Sequence, residues 1–264
     1  MTIIGVIGGV GPQAGLDFVQ KIFSNTIAVK DQDHLNCMLI SCPSIIPDRT
    51  GFLLRPSRSH GNTAEETENP AIGMFESARR LYLSGVRIAA VACNTAHASR
   101  IFASFYSMVK ESLPDLRVIN MLETCALFVK DNLNVSRLGL LATKGTHKSK
   151  VYHEYFKKDD GFVLIEPDAD GQDKIHEAIY NKEFGIKANS VKISSEATGR
   201  ISHEITELVN RGAESIILGC TELPLAIPGQ TYITENGVNV PIIDPGLVTA
   251  RRLIELTAPE KLKP

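Results

Sequence analysis

Two apolar stretches of this chain end in a cysteine at matched registers, SGVRIAAVACNTAH and RGAESIILGCTELP. In each, a glycine stands eight residues before the thiol: Gly85 before Cys93, and Gly212 before Cys220. The two blocks lie 127 positions apart. Glycine closes helices because it enters the left-handed conformation at little cost. The apolar run that follows it has no polar alternation, the pattern of a strand covered on both faces in a parallel sheet. Each thiol then stands at the carboxyl end of its strand, where open α/β sheets bind ligands. Two thiols brought to one substrate from opposite faces are the groups that a cofactor-free, two-base proton transfer needs.

The rest of the chain alternates in the same way. Ile3–Ile7 is predicted as a strand that runs into the glycine turn Gly8–Gly11, followed by a helix over about Ala14–Val29. Strands are expected at Met38–Ser41, Val86–Ala92 and Val118–Asn120, with helices over Pro70–Leu83 and Ala96–Ser112. Later strands are expected at Leu138–Leu141, Phe162–Ile165, Ser215–Leu218 and Ile242–Ile243, and GLLATKGT repeats the strand-then-turn form of GVIGGVGP. Alternating strands and helices imply right-handed crossovers and parallel sheet. The expected fold is α/β, with two similar lobes, each a short parallel sheet flanked by helices.

Composition narrows the classes. The 264 residues are 43% hydrophobic and 22% charged, with a net charge of −2. No strong field favours nucleic acid or an anionic membrane. The N-terminal MTIIGVIGGVGP has no basic region before its apolar residues, so it reads as a first strand and not a signal peptide. No stretch reaches the roughly 20 apolar residues of a membrane span. A cytoplasmic protein is expected. Five scattered cysteines with no CxxC pair argue for reduced thiols, with neither a disulfide framework nor a metal site.

In CNTAH, Cys93 precedes Asn94 and Thr95, residue types that cap helices, and a nearby helix N-terminus lowers a thiol pKa. His97 either tunes Cys93 or satisfies helix-end hydrogen bonds. Cys220 has the polar followers Thr221 and Glu222. The GGVG turn departs from GxGxxG and lacks a P-loop lysine, so a small carboxylate on backbone N–H groups is expected there. PDRT, at 47–50, is placed in a loop and offers Arg49 as a planar fork for a carboxylate. Residues 52–69 read as a long charged loop, whose Arg55, Arg58 and His60 are solvated or reach a ligand. Cys37, Cys42 and Cys125 are assigned to packing.

Together, IGVIGGVGP, IPDRT, ACNTAHA, GLLATKGT, GCTELP and IIDP resemble the aspartate/glutamate racemase superfamily, in its aspartate racemase branch. The pieces span nearly the whole chain in family order. Glutamate racemases carry His after GCT and an acidic residue in the first turn, where this chain has Glu222 and apolar residues. The resemblance implies a pyridoxal-independent amino-acid racemase, needing no cofactor, usually a homodimer, with the active site in the cleft between the lobes. It implies that Cys93 and Cys220 are the acid/base pair, Cys93 serving the D-enantiomer and Cys220 the L-enantiomer. It also returns the C-terminal segment to the first lobe, giving lobes of 1–114 plus 228–264, and 115–227. The residue after Gln172, a lysine in some aspartate racemases, is Asp173 here, with Lys174 beside it. An aspartate there repels a distal carboxylate, so the substrate stays open among aspartate, glutamate and a broader set of small amino acids.

In this reading Asn94, Thr95, Thr143, Thr146 and Thr221 donate to the α-carboxylate as charge develops on it. Arg49, with Thr50, takes the side-chain carboxylate, and Glu222 polarises Cys220 or meets the substrate ammonium. The alternatives are a maleate-type cis–trans isomerase of the same superfamily and a non-catalytic amino-acid or dicarboxylate binding protein.

Overall fold

The computed structural model describes residues 2–56 and 68–264. The chain divides into two compact units, Met1–Thr124 with Gly246–Pro264, and Cys125–Pro245.

The first unit is built on β1 (Ile3–Ile7), β2 (Asn36–Ile40), β3 (Ile88–Val91) and β4 (Arg117–Ile119), all parallel, in the order β2-β1-β3-β4. Phe18 and Ile22, one turn apart on helix Pro12–Ser24, form one apolar stripe against Ile4, Val6, Ile88 and Ala90. Ala250, Leu253 and Ile254 of the C-terminal helix Pro245–Thr257 complete that core. Full burial stabilises by about 1.5–3 kcal/mol for each large apolar side chain.

The second unit carries β5 (Arg137–Ala142), β6 (Val163–Ile165), β7 (Ser215–Gly219), β8 (Thr231–Ile233) and β9 (Asn239–Ile243). Their order is β6-β5-β7-β9-β8, parallel except for the antiparallel edge strand β8. Ile175 and Ile179 of helix Ala169–Tyr180, with Ile201, Ile205 and Leu208 of helix Ser195–Asn210, pack on Leu141, Ile216 and Leu218.

The two sheets thus share the order second strand, first, third; the parallel strand beside the third is β4 in the first sheet and β9, the fifth strand of its unit, in the second. The resemblance extends to the helix ends that feed the third strands. Gly85 and Gly212 have φ of +92° and +91°. Each closes its helix with the same pair of bonds: Gly85 N–H to Tyr82 O and Val86 N–H to Leu81 O, and Gly212 N–H to Val209 O and Ala213 N–H to Leu208 O. That pair is the Schellman arrangement, and it turns the chain from helix into strand.

Some local expectations need correction. β4 hydrogen-bonds to β3, and β9 to β7. The chain therefore leaves the first unit after Thr124 and returns at Gly246, not at 114/115 and 227/228. Which sheet a short apolar run joins depends on its hydrogen-bonding neighbour, and its own residues do not encode that. Arg49–Leu54 is a helix, capped by Asp48, where a loop was expected. The helix expected from Ala96 begins at Ser99, after a 3-10 turn over Thr95–His97. Asn94 stands at the N-cap of that turn without a side-chain cap bond, and Ala98 stands at the N-cap of the helix. The turn after β5 winds into helix Lys144–Ser149. Among the described residues, no helix is long and apolar enough to cross a membrane.

Candidate active site

In both sheets the chain runs outward from the first strand to the second, then returns to the other side of the first. The carboxyl ends of the first and third strands flank that reversal, where an open α/β sheet leaves a crevice. In the first unit these ends belong to β1 and β3. Ile7 pairs with Val91, and Ala92 N–H donates to Ile7 O at 3.0 Å. Cys93 follows directly, 6% exposed.

The glycine turn leaves β1 beside it. Gly9 has φ +75°, and a Cβ there would lie 2.7 Å from Cys42 N, so only glycine fits. Arg49 ties this turn to the PDRT segment: its guanidinium donates to Val10 O and to Pro47 O. Asp48 accepts from Gly51 N–H at 2.5 Å and so starts helix Arg49–Leu54. That helix packs against the Thr95–His97 turn. Arg49, Thr50, Asn94 and Thr95 are all buried polar residues of this region.

His97 has a structural task here. Its Nδ1 donates to Cys93 O at 2.8 Å, and its Nε2 accepts from Met121 N–H at 3.2 Å. Burial holds its pKa down to about 4, which keeps the ring neutral. Of the two roles expected for His97, the hydrogen-bonding one is seen.

In the second unit β5 and β7 take the same places. Ala142 pairs with Gly219, and Cys220 follows at once, 4% exposed. Thr143 follows β5 and caps helix Lys144–Ser149: its Oγ1 accepts from Thr146 N–H at 3.2 Å and lies 3.1 Å from Thr146 Oγ1. Gln172 Nε2 donates to Ala142 O at 2.8 Å, bracing the end of β5.

Around Cys220 the chemistry is ionic. The thiol donates to Glu222 Oε2 at 3.0 Å, and Thr221 Oγ1 donates to the same oxygen at 3.3 Å. Lys187 Nζ forms an ion pair with Glu222 Oε1. A buried carboxylate needs such partners, because leaving it bare in the interior costs several kcal/mol. Burial, and then the Glu222 charge, push the Cys220 thiol well above its usual pKa, while Lys187 opposes them. Burial alone would lower the Lys187 pKa, but Glu222, Cys220 and Tyr180 outweigh it and leave the ammonium above its usual range.

Lys187 was not found from sequence. It lies beyond helix Ala169–Tyr180 in an irregular segment that folds back on that helix, through Ile186 N–H to Ala178 O and Lys187 N–H to Ile179 O. Its one local cue is the apolar Ile186 beside it, fully buried.

Other candidates lie elsewhere. Asp173 pairs with Lys144 at 2.7 Å, and Lys174 with Asp170 at 2.6 Å. Arg55 pairs with Glu68 on the surface. Arg58 and His60 lie outside the described residues. Among the described residues, no group of three or more His, Cys, Asp or Glu is arranged to hold a metal ion.

A model of the Asp/Glu/hydantoin racemase family matches residues 7–253. The aspartate racemase of Picrophilus torridus superposes with a TM-score of 0.75 at 28% identity, over 97% of this chain and 94% of that one. An aspartate racemase homologue from Pyrococcus horikoshii has a TM-score of 0.69 at 23% identity, over 97% and 99%, a likeness of fold. In sequence, a broad-specificity amino-acid racemase of Bacillus subtilis is 22% identical over 96% of each chain. A glutamate racemase of Pediococcus pentosaceus is 24% identical over 69% of this chain; the match spans 62% of that enzyme, less than two thirds of its length.

Proposed function

The chain belongs to the Asp/Glu/hydantoin racemase family, and we propose that it is a cofactor-independent amino-acid racemase whose acid/base pair is Cys93 and Cys220. One observation carries this reading. In two units whose first three strands are ordered alike, a thiol follows the third strand at the strand reversal.

The Cα proton of an amino acid is a very weak acid. In this mechanism the Cys93 thiolate takes it from one face, and the Cys220 thiol gives a proton to the other face. The reverse reaction exchanges the roles. The neutral, hydrogen-bonded Cys220 is in the donor form. Its carboxylate and ammonium neighbours push its pKa in opposite directions. Burial and Glu222 favour the thiol that donates, and Lys187 is the neighbour that favours the thiolate needed in the reverse direction.

The carbanion that forms between the two transfers needs donors already in place. In the proposal Asn94, Thr95, Thr143, Thr146 and Thr221 face the α-carboxylate, and one such donor is worth about 3 kcal/mol in a water-poor site. Arg49 and Thr50 serve the substrate side chain. Glu222 acts on Cys220, through the hydrogen bond between them. The same reading includes a cytoplasmic homodimer, which light scattering and cell fractionation test.

The deciding experiment follows racemisation and solvent deuterium uptake together, across the proteinogenic amino acids. The expected result is deuterium almost wholly in the inverted enantiomer. Equal wash-in to recovered substrate would mean one base. No racemisation of any amino acid, together with turnover of maleate, would replace the reading with cis–trans isomerisation.

A further inference from the structure

His97 is enclosed within the first unit, with 1% of its surface exposed, and the proton transfer does not employ it. Both edges of its ring are occupied by backbone. Met121 N–H can only donate, so Nε2 is the bare nitrogen and Nδ1 carries the proton that goes to Cys93 O. One face of the ring stacks on Phe102, with centroids 4.7 Å apart and 22° between the planes. The ring's position and tautomer are therefore both set.

What it grips is the start of another helix. The first N–H groups of a helix have no partner inside it. In helix Met121–Asn132, Asn120 Oδ1 takes Leu122 N–H at 2.9 Å and Glu123 N–H at 3.1 Å, and His97 takes the remaining Met121 N–H. The chain passes from one compact unit to the other between Thr124 and Cys125, at the end of this helix's first turn.

We propose that His97 is a positioning residue for Cys93: one rigid ring ties the thiol's own carbonyl to the first turn of the helix along which the chain passes between its units. Movement of that turn is transmitted to the Cys93 backbone through two hydrogen bonds. A charged ring could not accept from Met121 N–H, and its depressed pKa keeps the link intact across the neutral range.

The test compares His97→Leu, which keeps bulk but neither bond, with His97→Gln, whose amide offers a donor and an acceptor. Cys93 and Cys220 are alkylated with iodoacetamide across pH and read separately by peptide mass spectrometry, beside kcat, KM and thermal unfolding. In His97→Leu, the Cys93 pH profile is expected to move while the Cys220 profile holds. A thiol displaced by even 1 Å should cost kcat on the order of 100-fold with little change in KM. His97→Gln should recover most of both.

An unchanged Cys93 profile in a destabilised His97→Leu protein would overturn the proposal, because a purely structural histidine gives that result. If His97→Leu does not fold, His97→Asn, one methylene too short to span both partners, replaces it against His97→Gln. Equal Cys93 profiles in those two would overturn the proposal as well. The turnover readout rests on the racemase reading, but the alkylation profiles do not. Failure of one is thus distinguishable from failure of the other.

Discussion

The two units hold their thiols in equivalent places and surround them differently. In the first, Cys93 follows β3, and its carbonyl is gripped by the neutral His97. In the second, Cys220 follows β7, and its thiol is bonded to a carboxylate that is itself paired with a lysine. Shared connectivity supplies the position, and unshared side chains supply the charge. The proposed exchange of acid and base roles calls for like positions, and the matched strand ends supply them.

That comparison can be broken outright by removing either thiol. Cys93→Ala and Cys220→Ala should each lower racemisation by roughly 1000-fold or more, followed by chiral chromatography from either enantiomer. Loss in one variant alone would mean that the two positions are alike in fold and not in use.

The next effect separates the halves electrostatically. Glu222→Gln leaves Lys187 without its carboxylate, and breaking a buried pair in this way costs about 3 kcal/mol, measurable by urea unfolding. The same change removes the charge that raises the Cys220 pKa while Lys187 remains to lower it. Cys220 should then alkylate at lower pH, and Cys93 should not change. Lys187→Met should move Cys220 the opposite way.

A pH effect belongs to the first unit. His97 is held at about 4, below the 6.5 of an unperturbed imidazole, chiefly by burial. The unfolded chain thus takes up a proton before the folded one does. Stability is whole above pH 6.5 and falls as pH drops from there toward 4, by up to about 3 kcal/mol. The urea midpoint of His97→Gln should be less sensitive to pH over that window than that of the unaltered protein.

The smallest test concerns the matched helix ends. Gly85→Ala and Gly212→Ala each put a side chain at positive φ, worth about 1 kcal/mol. A Cβ at Gly85 meets nothing within 4 Å, whereas at Gly212 it would lie 2.9 Å from Arg137 Nη2. Gly212→Ala should be the costlier of the two by a few tenths of a kcal/mol, read from thermal unfolding, since the far end of an arginine can move.

Much of this frame is legible in the residues. Gly85 and Gly212 announce helix ends because positive φ is a local demand that glycine meets at the lowest cost. The runs into Cys93 and Cys220 announce covered strands because burial on both faces removes polar alternation. Gly9 belongs with them, since its conformation and its approach to Cys42 exclude a side chain. The site's polar partners are another matter. Lys187 stands 33 positions from Cys220, with no periodicity to mark it. Arg49 looks like a loop arginine until its guanidinium is found on Val10 O, and His97 shows its second partner only once Met121 is beside it. The boundaries between units were hidden for the same reason: β4 and β9 are short runs whose sheet is chosen by a neighbour.

By itself, then, the sequence determined two α/β halves and the strand ends on which Cys93 and Cys220 stand, because backbone conformation and burial act on residues close together in the chain. Only the tertiary structure decided that Cys220 meets the Glu222–Lys187 pair, and that the Cys93 carbonyl meets His97. Those links are made by side chains from separate segments, and a hydrogen bond or an ion pair depends on distances that no local pattern records.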